Sequence, residues 1–339
     1  MDVLDMKRRA IDLIVYLIVR TLLAFIQAVR IETCQWIAGH IAFLAHRVLK
    51  IRRKIISDNI RFSFPEKSAE EQEKMAVEMW AHLILMVCEI AHAPRKIHET
   101  NWRSYVDIPD VEIITRYLLD PRPTVLVSGH FGNFELGGFV TGMLGFPNYT
   151  VARILDNPHI NRWVNRFRAA NGQFILPKEG SGPAIQHVLR KGGALTLLGD
   201  QHAGIKGVWV DFLNREASCH KATALFTLSN DAPLVVIYTR RSGRPMHFQI
   251  GVTGVMDPAE KHDAMKNAKS LSQWYSNRLE DMVYGAPEQY WWIHRRWKGK
   301  QKLTKKQLAA KQAKEASETA HDGKAINAET TTDDRRGAA

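Results

Sequence analysis

His130 and Glu135 stand five residues apart in Gly129-His130-Phe131-Gly132-Asn133-Phe134-Glu135, directly after the apolar run Thr124–Ser128. An imidazole with one ring nitrogen held by a carboxylate keeps the other as a base, and acyl transfer to an alcohol requires such a base to remove the hydroxyl proton. Five residues on a regular helix set two side chains about 140° apart. The pair therefore meets only if His130 lies on a strand-to-helix turn and Glu135 in the first helical turn, with Gly129 and Gly132 giving the turn its backbone freedom. A carboxylate there is favoured by the helix dipole. Amides near Gly132 and Asn133 are then placed to receive the oxyanion of a tetrahedral intermediate. A structural hydrogen bond between a lone histidine and a carboxylate is the alternative that spacing leaves open.

The turn needs a sheet beneath it. Three short, nearly continuous apolar runs, Thr124–Ser128, Ala194–Leu198 and 234–239, read as strands covered on both faces, with helical stretches between them. The expected fold class is α/β, a central, mostly parallel sheet flanked by helices. Asp200 and Gln201 end the second run as the His130 segment ends the first, and open α/β sheets collect ligand-binding groups at that edge. An Asp that only shapes the turn is the plain alternative. Upstream, Met75, Met79, Leu83, Met86 and Ile90 recur at helical spacing behind a Ser68/Glu71 capping box, with Pro94 marking the end.

Residues 13–29 and 36–49 are almost wholly apolar, flanked by Lys7, Arg8 and Arg9 before them and Lys50, Arg52, Arg53 and Lys54 after. No small-residue cleavage site follows the first run, so it reads as retained. Arg9, Asp12, Tyr16, Arg20, Gln27 and Arg30 fall in one sector of a helix, the pattern of a helix lying at or tilted through a bilayer; a buried core helix is the alternative. Positive residues at both ends place both ends on the cytoplasmic side. The expected organisation is a membrane-associated helical hairpin at 1–54, an α/β domain at 55–298 and a disordered basic tail at 299–339.

The chain has 339 residues, of which 47 are lysine or arginine and 35 aspartate or glutamate, a net charge of +12. The positive excess suits an anionic membrane surface, and no nucleic-acid-binding signature accompanies it. Cys34, Cys88 and Cys219 are too few and too scattered for a disulfide framework or a zinc site. No histidine pair has metal-ligand spacing, so neither a metal nor another cofactor is expected. Arg153, Arg162, Arg166 and Arg168 are spaced to form an anion site, or a solvated helix face. The run 290–298 mixes tryptophans with Arg295, Arg296 and Lys298, which suits either a bilayer interface or an aromatic element packed on the core.

Gly-His-Phe-Gly-Asn-Phe-Glu resembles the His-four-residues-Asp/Glu motif of the late acyltransferases of lipid A biosynthesis. The similarity continues, in order, through Asp58-Asn59-Ile60-Arg61-Phe62-Ser63-Phe64-Pro65, the stretch 153–172, Gly199-Asp200-Gln201 and Pro287-Glu288-Gln289-Tyr290-Trp291-Trp292-Ile293-His294-Arg295-Arg296-Trp297-Lys298. The resemblance implies a bacterial inner-membrane enzyme, its catalytic domain facing the cytoplasm. It would move a fatty acyl chain from a thioester of acyl carrier protein or coenzyme A to a hydroxyl of a lipid A precursor, without an acyl-enzyme. By position it makes His130 the base and Glu135 its orienting partner; Gly132, Asn133, Arg153, Arg168, Asp200 and Gln201 are the residues expected beside them to hold substrate. Acyl carrier protein, a glycolipid acceptor and the anionic membrane are the implied partners. Asn214 stands where a glycine is common, which leaves room for a different glycolipid or lysolipid acceptor. A non-catalytic adaptor for anionic membranes is the reading from another class.

Overall fold

The structure, a computed structural model, describes residues 3–299. The tail expected at 299–339 lies, but for its first residue, outside the described residues. Two helices come first, α1 (Val3–Ala28) and α2 (Ile31–Phe43), then a π-helical turn at Leu44–Val48, α3 (Arg53–Ser63) and the long α4 (Ala69–Lys96). The α/β part runs β1 (Val106–Asp107), α5 (Val111–Leu118), β2 (Thr124–Ser128), α6 (Phe134–Met143), β3 (Asn148–Ala152), α7 (Pro158–Ala170), β4 (Gln173–Pro177), α8 (Gly182–Arg190) and β5 (Ala194–Leu198). It closes with the hairpin β6 (Val208–Phe212) and β7 (Arg215–Cys219), then α9 (Lys221–Ser229), β8 (Leu234–Arg241), β9 (Phe248–Met256) and α10 (Ala268–Gly285).

Seven strands form one sheet in the order β1-β9-β8-β2-β5-β3-β4, and all neighbouring pairs are parallel except β8 with β9. The three apolar runs of the sequence are adjacent here, as β8, β2 and β5. Val125 pairs in register with Leu195 on one side and Leu234 on the other, so the carboxyl ends of all three strands emerge at one edge. One sheet face buries Val125, Val127, Leu234 and Val236 against Tyr275 and Leu279 of α10. Each such side chain stabilises the fold by roughly 1.5–3 kcal/mol, so this layer fixes the strand order that builds the site. The other face is covered by α6, a helix with Gly137 and Gly138 on its sheet side; a Cβ on Gly137 would lie 2.4 Å from Thr239 Oγ1.

α4 starts at the expected capping box, Ser68 Oγ accepting from the Glu71 amide and the Glu71 carboxylate from the Ser68 amide. It does not stop at Pro94. The proline sits inside the last turn, where its missing N–H costs one bond, and the helix runs on to Lys96 before Ile97 turns extended. The glycine position taken by Asn214 also has a local explanation. Leu213 and Asn214 form the two-residue loop between β6 and β7 at φ of 49° and 64°, a left-handed geometry that glycine and asparagine adopt readily.

Residues 1–54 pack in one unit with residues 55–298. The polar sector of α1 faces protein. Gln27 donates to the Ala91 carbonyl of α4 at 2.7 Å, Tyr16 lies 5.7 Å from the ring of His159, and the Arg20 guanidinium stacks 5.4 Å from the ring of Trp163 on α7. From residue 11 on, the opposite side is apolar: Ile11, Ile14, Ile18, Leu22 and Phe25 are all more than half exposed.

Candidate active site

β2 ends at Ser128, and the chain turns through Gly129, His130 and Phe131 into α6. The turn is tight at Gly132, whose φ is +57° and where a Cβ would lie 1.9 Å from the Thr239 carbonyl oxygen, so no other residue fits. Gly129 has no such need; a Cβ there meets Asp200 at ordinary contact distance. Asn133 caps α6, its Oδ1 accepting from the Leu136 amide.

The carboxylate that holds His130 is Asp200, not Glu135. Both residues follow the ends of paired strands, β2 and β5, and Asp200 accepts from the His130 backbone amide through Oδ2 and from ring Nδ1 through Oδ1, each at 2.8 Å. Both side chains are buried. Burial alone would push the Asp200 carboxyl up, but the His130 imidazole and its two hydrogen bonds outweigh that and hold it well below the usual carboxylate range. With the Nδ1 proton donated to Asp200, Nε2 is the accepting nitrogen and takes an N–H from Gln201 at 3.2 Å.

Glu135 does lie in the first turn of α6, as expected, but it turns to α7. Arg168 donates to it through Nε at 3.0 Å and through Nη2, a bidentate pair. The oxyanion site also differs from expectation. The Gly132 amide donates to the Gln289 carbonyl at 2.9 Å and the Asn133 amide to the Thr239 carbonyl at 2.7 Å. The next two amides, Phe134 and Glu135, in the first turn of α6, make no hydrogen bond among the described residues. Arg153 is apart from the site: it is exposed and pairs with Asp156 at 2.7 Å.

A narrow cavity of about 100 Å³ runs from this corner between α6 and the sheet. Alternate residues of the strands line it, among them Leu126, Leu198, Ile237 and Ile250, and Glu135 and Arg168 stand on its wall.

Two further groups adjoin the turn: the run 290–298, which the sequence left between a bilayer interface and a core element, and a buried pair that the sequence reading did not single out. The segment after α10 crosses over the turn. Phe131 bridges Tyr290, and the Trp291 amide donates to the His130 carbonyl at 3.1 Å. Trp292 and Arg296 are buried, so this run is a core strap rather than a bilayer-facing belt. Asn59 of α3 fixes it, donating to the carbonyls of Trp292 at 2.8 Å and His294 at 2.9 Å, which accounts for the Asp58–Pro65 motif. The strap brings the ring of His294 to 4.7 Å from that of His130, and burial, with the neighbouring His130 and Arg52, pushes its pKa down to about 4, so it stands neutral at pH 7.

The second group is a buried ion pair behind the turn. Glu89 of α4 receives Arg241 Nε at 2.6 Å and Nη2 at 2.7 Å, and also accepts from Asn133 Nδ2 at 3.2 Å. Arg241 Nη1 donates to His82 Nδ1 at 2.9 Å, leaving His82 Nε2–H to donate to the Gly132 carbonyl at 3.2 Å. Burial, then the Arg241 charge, pushes the His82 pKa down to about 3. A histidine and a glutamate seven residues apart on the apolar stripe of α4 are the signal by which the sequence could have revealed it. Among the described residues, no group of three His, Cys, Asp or Glu side chains is placed to hold a metal.

This geometry, an oriented imidazole at the strand edge beside an apolar slot, belongs to a chain that matches the family described as bacterial lipid A biosynthesis acyltransferase over residues 4–299, and the protein is a member of that family and an acyltransferase. It is 29% identical over 262 residues to the lipid A biosynthesis lauroyltransferase of Escherichia coli K12, covering 75% of this chain and 82% of that one. It is equally identical, over 276 residues, to the palmitoleoyltransferase of the same organism (78% and 84% covered) and 23% identical to its myristoyltransferase over 262 residues (76% and 78%).

Proposed function

We propose that this protein transfers a fatty acyl chain from an acyl carrier protein or coenzyme A thioester to a hydroxyl of a lipid A precursor, with His130 as general base oriented by Asp200. The observation that carries the reading is the His130 ring, bonded at Nδ1 to a buried carboxylate and presenting Nε2 as acceptor. Nε2 removes the hydroxyl proton as the oxygen attacks the thioester carbonyl. The new C–O bond forms, the C–S bond breaks on collapse of the tetrahedral intermediate, and the proton passes from His130 to the departing thiolate. The free amides of Phe134 and Glu135, at the positive end of α6, face the oxyanion. Gln201 yields Nε2 to the incoming hydroxyl.

The acyl chain enters the cavity beneath α6, with the Glu135–Arg168 pair at its wall. Substrate and cavity are both greasy, so the chain's burial is favoured by about 0.8 kcal/mol per methylene. The exposed apolar face of α1 inserts into the inner membrane with the catalytic unit on the cytoplasmic side, where the positive residues flanking the hairpin meet anionic lipid. The test is turnover of the detergent-solubilised enzyme with acyl carrier protein thioester and a lipid A precursor. His130→Ala is expected to lower kcat by at least about 100-fold, and a folded His130→Ala protein with full turnover would remove His130 from the reaction.

A further inference from the structure

A second, much larger cleft of about 850 Å³ opens between α1 and α7, lined by groups that proton transfer does not use. Arg8 of α1 and Arg162 and Arg166, one turn apart on α7, face it. Among the described residues none of the three has a carboxylate within 4 Å; the Asp5 and Asp156 carboxylates of the rim pair instead with Arg9 at 3.1 Å and Arg153 at 2.7 Å. Three exposed guanidinium groups line one cleft from helices some 150 residues apart, and an anion between them would offset their mutual repulsion. Asn165 and Asp12, the latter without a basic partner, supply hydroxyl-binding groups on the same walls.

The two helices are fixed to one another at this place. Asn157 Nδ2 donates to the Asp12 carbonyl at 2.7 Å, and Arg20 lies over Trp163. The cleft is also at the right junction: one wall continues into the exposed apolar face of α1, and α7 carries Arg168 on another face, toward the cavity beside His130. An amphipathic ligand with its tails along α1 would bring its headgroup here.

We propose that this cleft binds the phosphorylated sugar headgroup of a membrane-embedded lipid, Arg8, Arg162 and Arg166 taking a phosphate and Asp12 and Asn165 sugar hydroxyls. It rests on the reading of the protein as a lipid A acyltransferase and names the feature by which the acceptor is held. Arginine is suited to this because its planar fork meets phosphate oxygens in pairs.

The experiment is equilibrium binding of the full-length, detergent-solubilised protein to a fluorescent lipid A precursor in mixed micelles. Competitors are the unlabelled lipid, its phosphatase-treated form, phosphatidylglycerol and free glucosamine 1-phosphate. Arg162→Gln/Arg166→Gln, and separately Arg8→Gln on the opposite wall, are expected to weaken binding by about 10-fold or more, since each removes charge-assisted hydrogen bonds to phosphate. The phosphatase-treated lipid and phosphatidylglycerol are expected to compete poorly, and glucosamine 1-phosphate to compete only at high concentration, lacking the tails. Unchanged binding by both variants, or phosphatidylglycerol competing as well as the precursor, would overturn the proposal. Binding that depends on these arginines in a protein that transfers no acyl group would uphold the cleft and refute the acyltransfer reading instead.

Discussion

At the residue scale the chemistry turns on which carboxylate serves His130. Asp200→Asn keeps the shape of the side chain but removes the charge that orients the ring, and kcat is expected to fall by about 100-fold to 10,000-fold. Glu135→Gln leaves the His130–Asp200 bonds intact and loosens only the Arg168 pair on the cavity wall; its effect should be about 10-fold and fall on the KM of the acyl donor. Steady-state kinetics of the two variants decide the matter, and the opposite ranking would return the orienting role to Glu135. The Asp200 carboxyl is held so low that it stays ionised through the working range, so the acid limb of kcat/KM should follow one group only. His130, Asp200 and Gln201 were each legible in sequence as the residues that follow apolar runs. Their meeting was not, because it depends on β2 and β5 lying side by side. Nor was the fate of Glu135, decided by an arginine 33 residues further on in another element.

At the scale of elements, α4 reaches through the molecule to hold the catalytic turn. Glu89 is fully buried, and Glu89→Ala leaves the Arg241 charge without its partner, a change expected to destabilise the protein by about 3–5 kcal/mol in chemical unfolding. His82 adds a pH dependence. Its pKa is about 3 in the fold against 6.5 unperturbed, so between these values the unfolded chain binds the extra proton. Stability contributed by neutral His82 is therefore complete above about pH 6.5 and declines as pH falls toward 3, by at most about 1.4 kcal/mol per pH unit. His82→Gln, which still donates to the Gly132 carbonyl but does not titrate, should flatten that slope in unfolding measured from pH 4 to 7; an unchanged slope would assign it to other groups. Three of the strands that sequence reading passed over have a local reason. β3 and β4 are only half buried and carry polar residues, while β1 has two residues and exists because β9 pairs with it. Periodicity marks a strand covered on both faces and is weak at a sheet edge.

Over the whole molecule, the distribution of exposed apolar surface sets where the enzyme works. A soluble helix turns its apolar stripe inward; α1 does the reverse, keeping Tyr16, Arg20 and Gln27 for α7 and α4 and Ile11, Ile14 and Ile18 outside. Ile14→Lys/Ile18→Lys places charge on that face, each at a cost of roughly 2.5–3.5 kcal/mol in a bilayer. The double variant is expected to move from the membrane pellet to the supernatant on fractionation, and sedimentation like the parent would show that another surface is the anchor. The amphipathic sector was readable in the sequence, but which side met protein was not, since its partners Asn157, His159 and Trp163 come from the far end of the chain's first half.

The strap over the turn has a bearing on synthesis. Gln289 and Trp291 supply the backbone partners of Gly132 and His130, and among the described residues they are synthesised after every strand and after helices α1 to α10. A nascent chain thus stays inert until residues 287–292 have been added, and one released at residue 286 should show no turnover however well its sheet has formed.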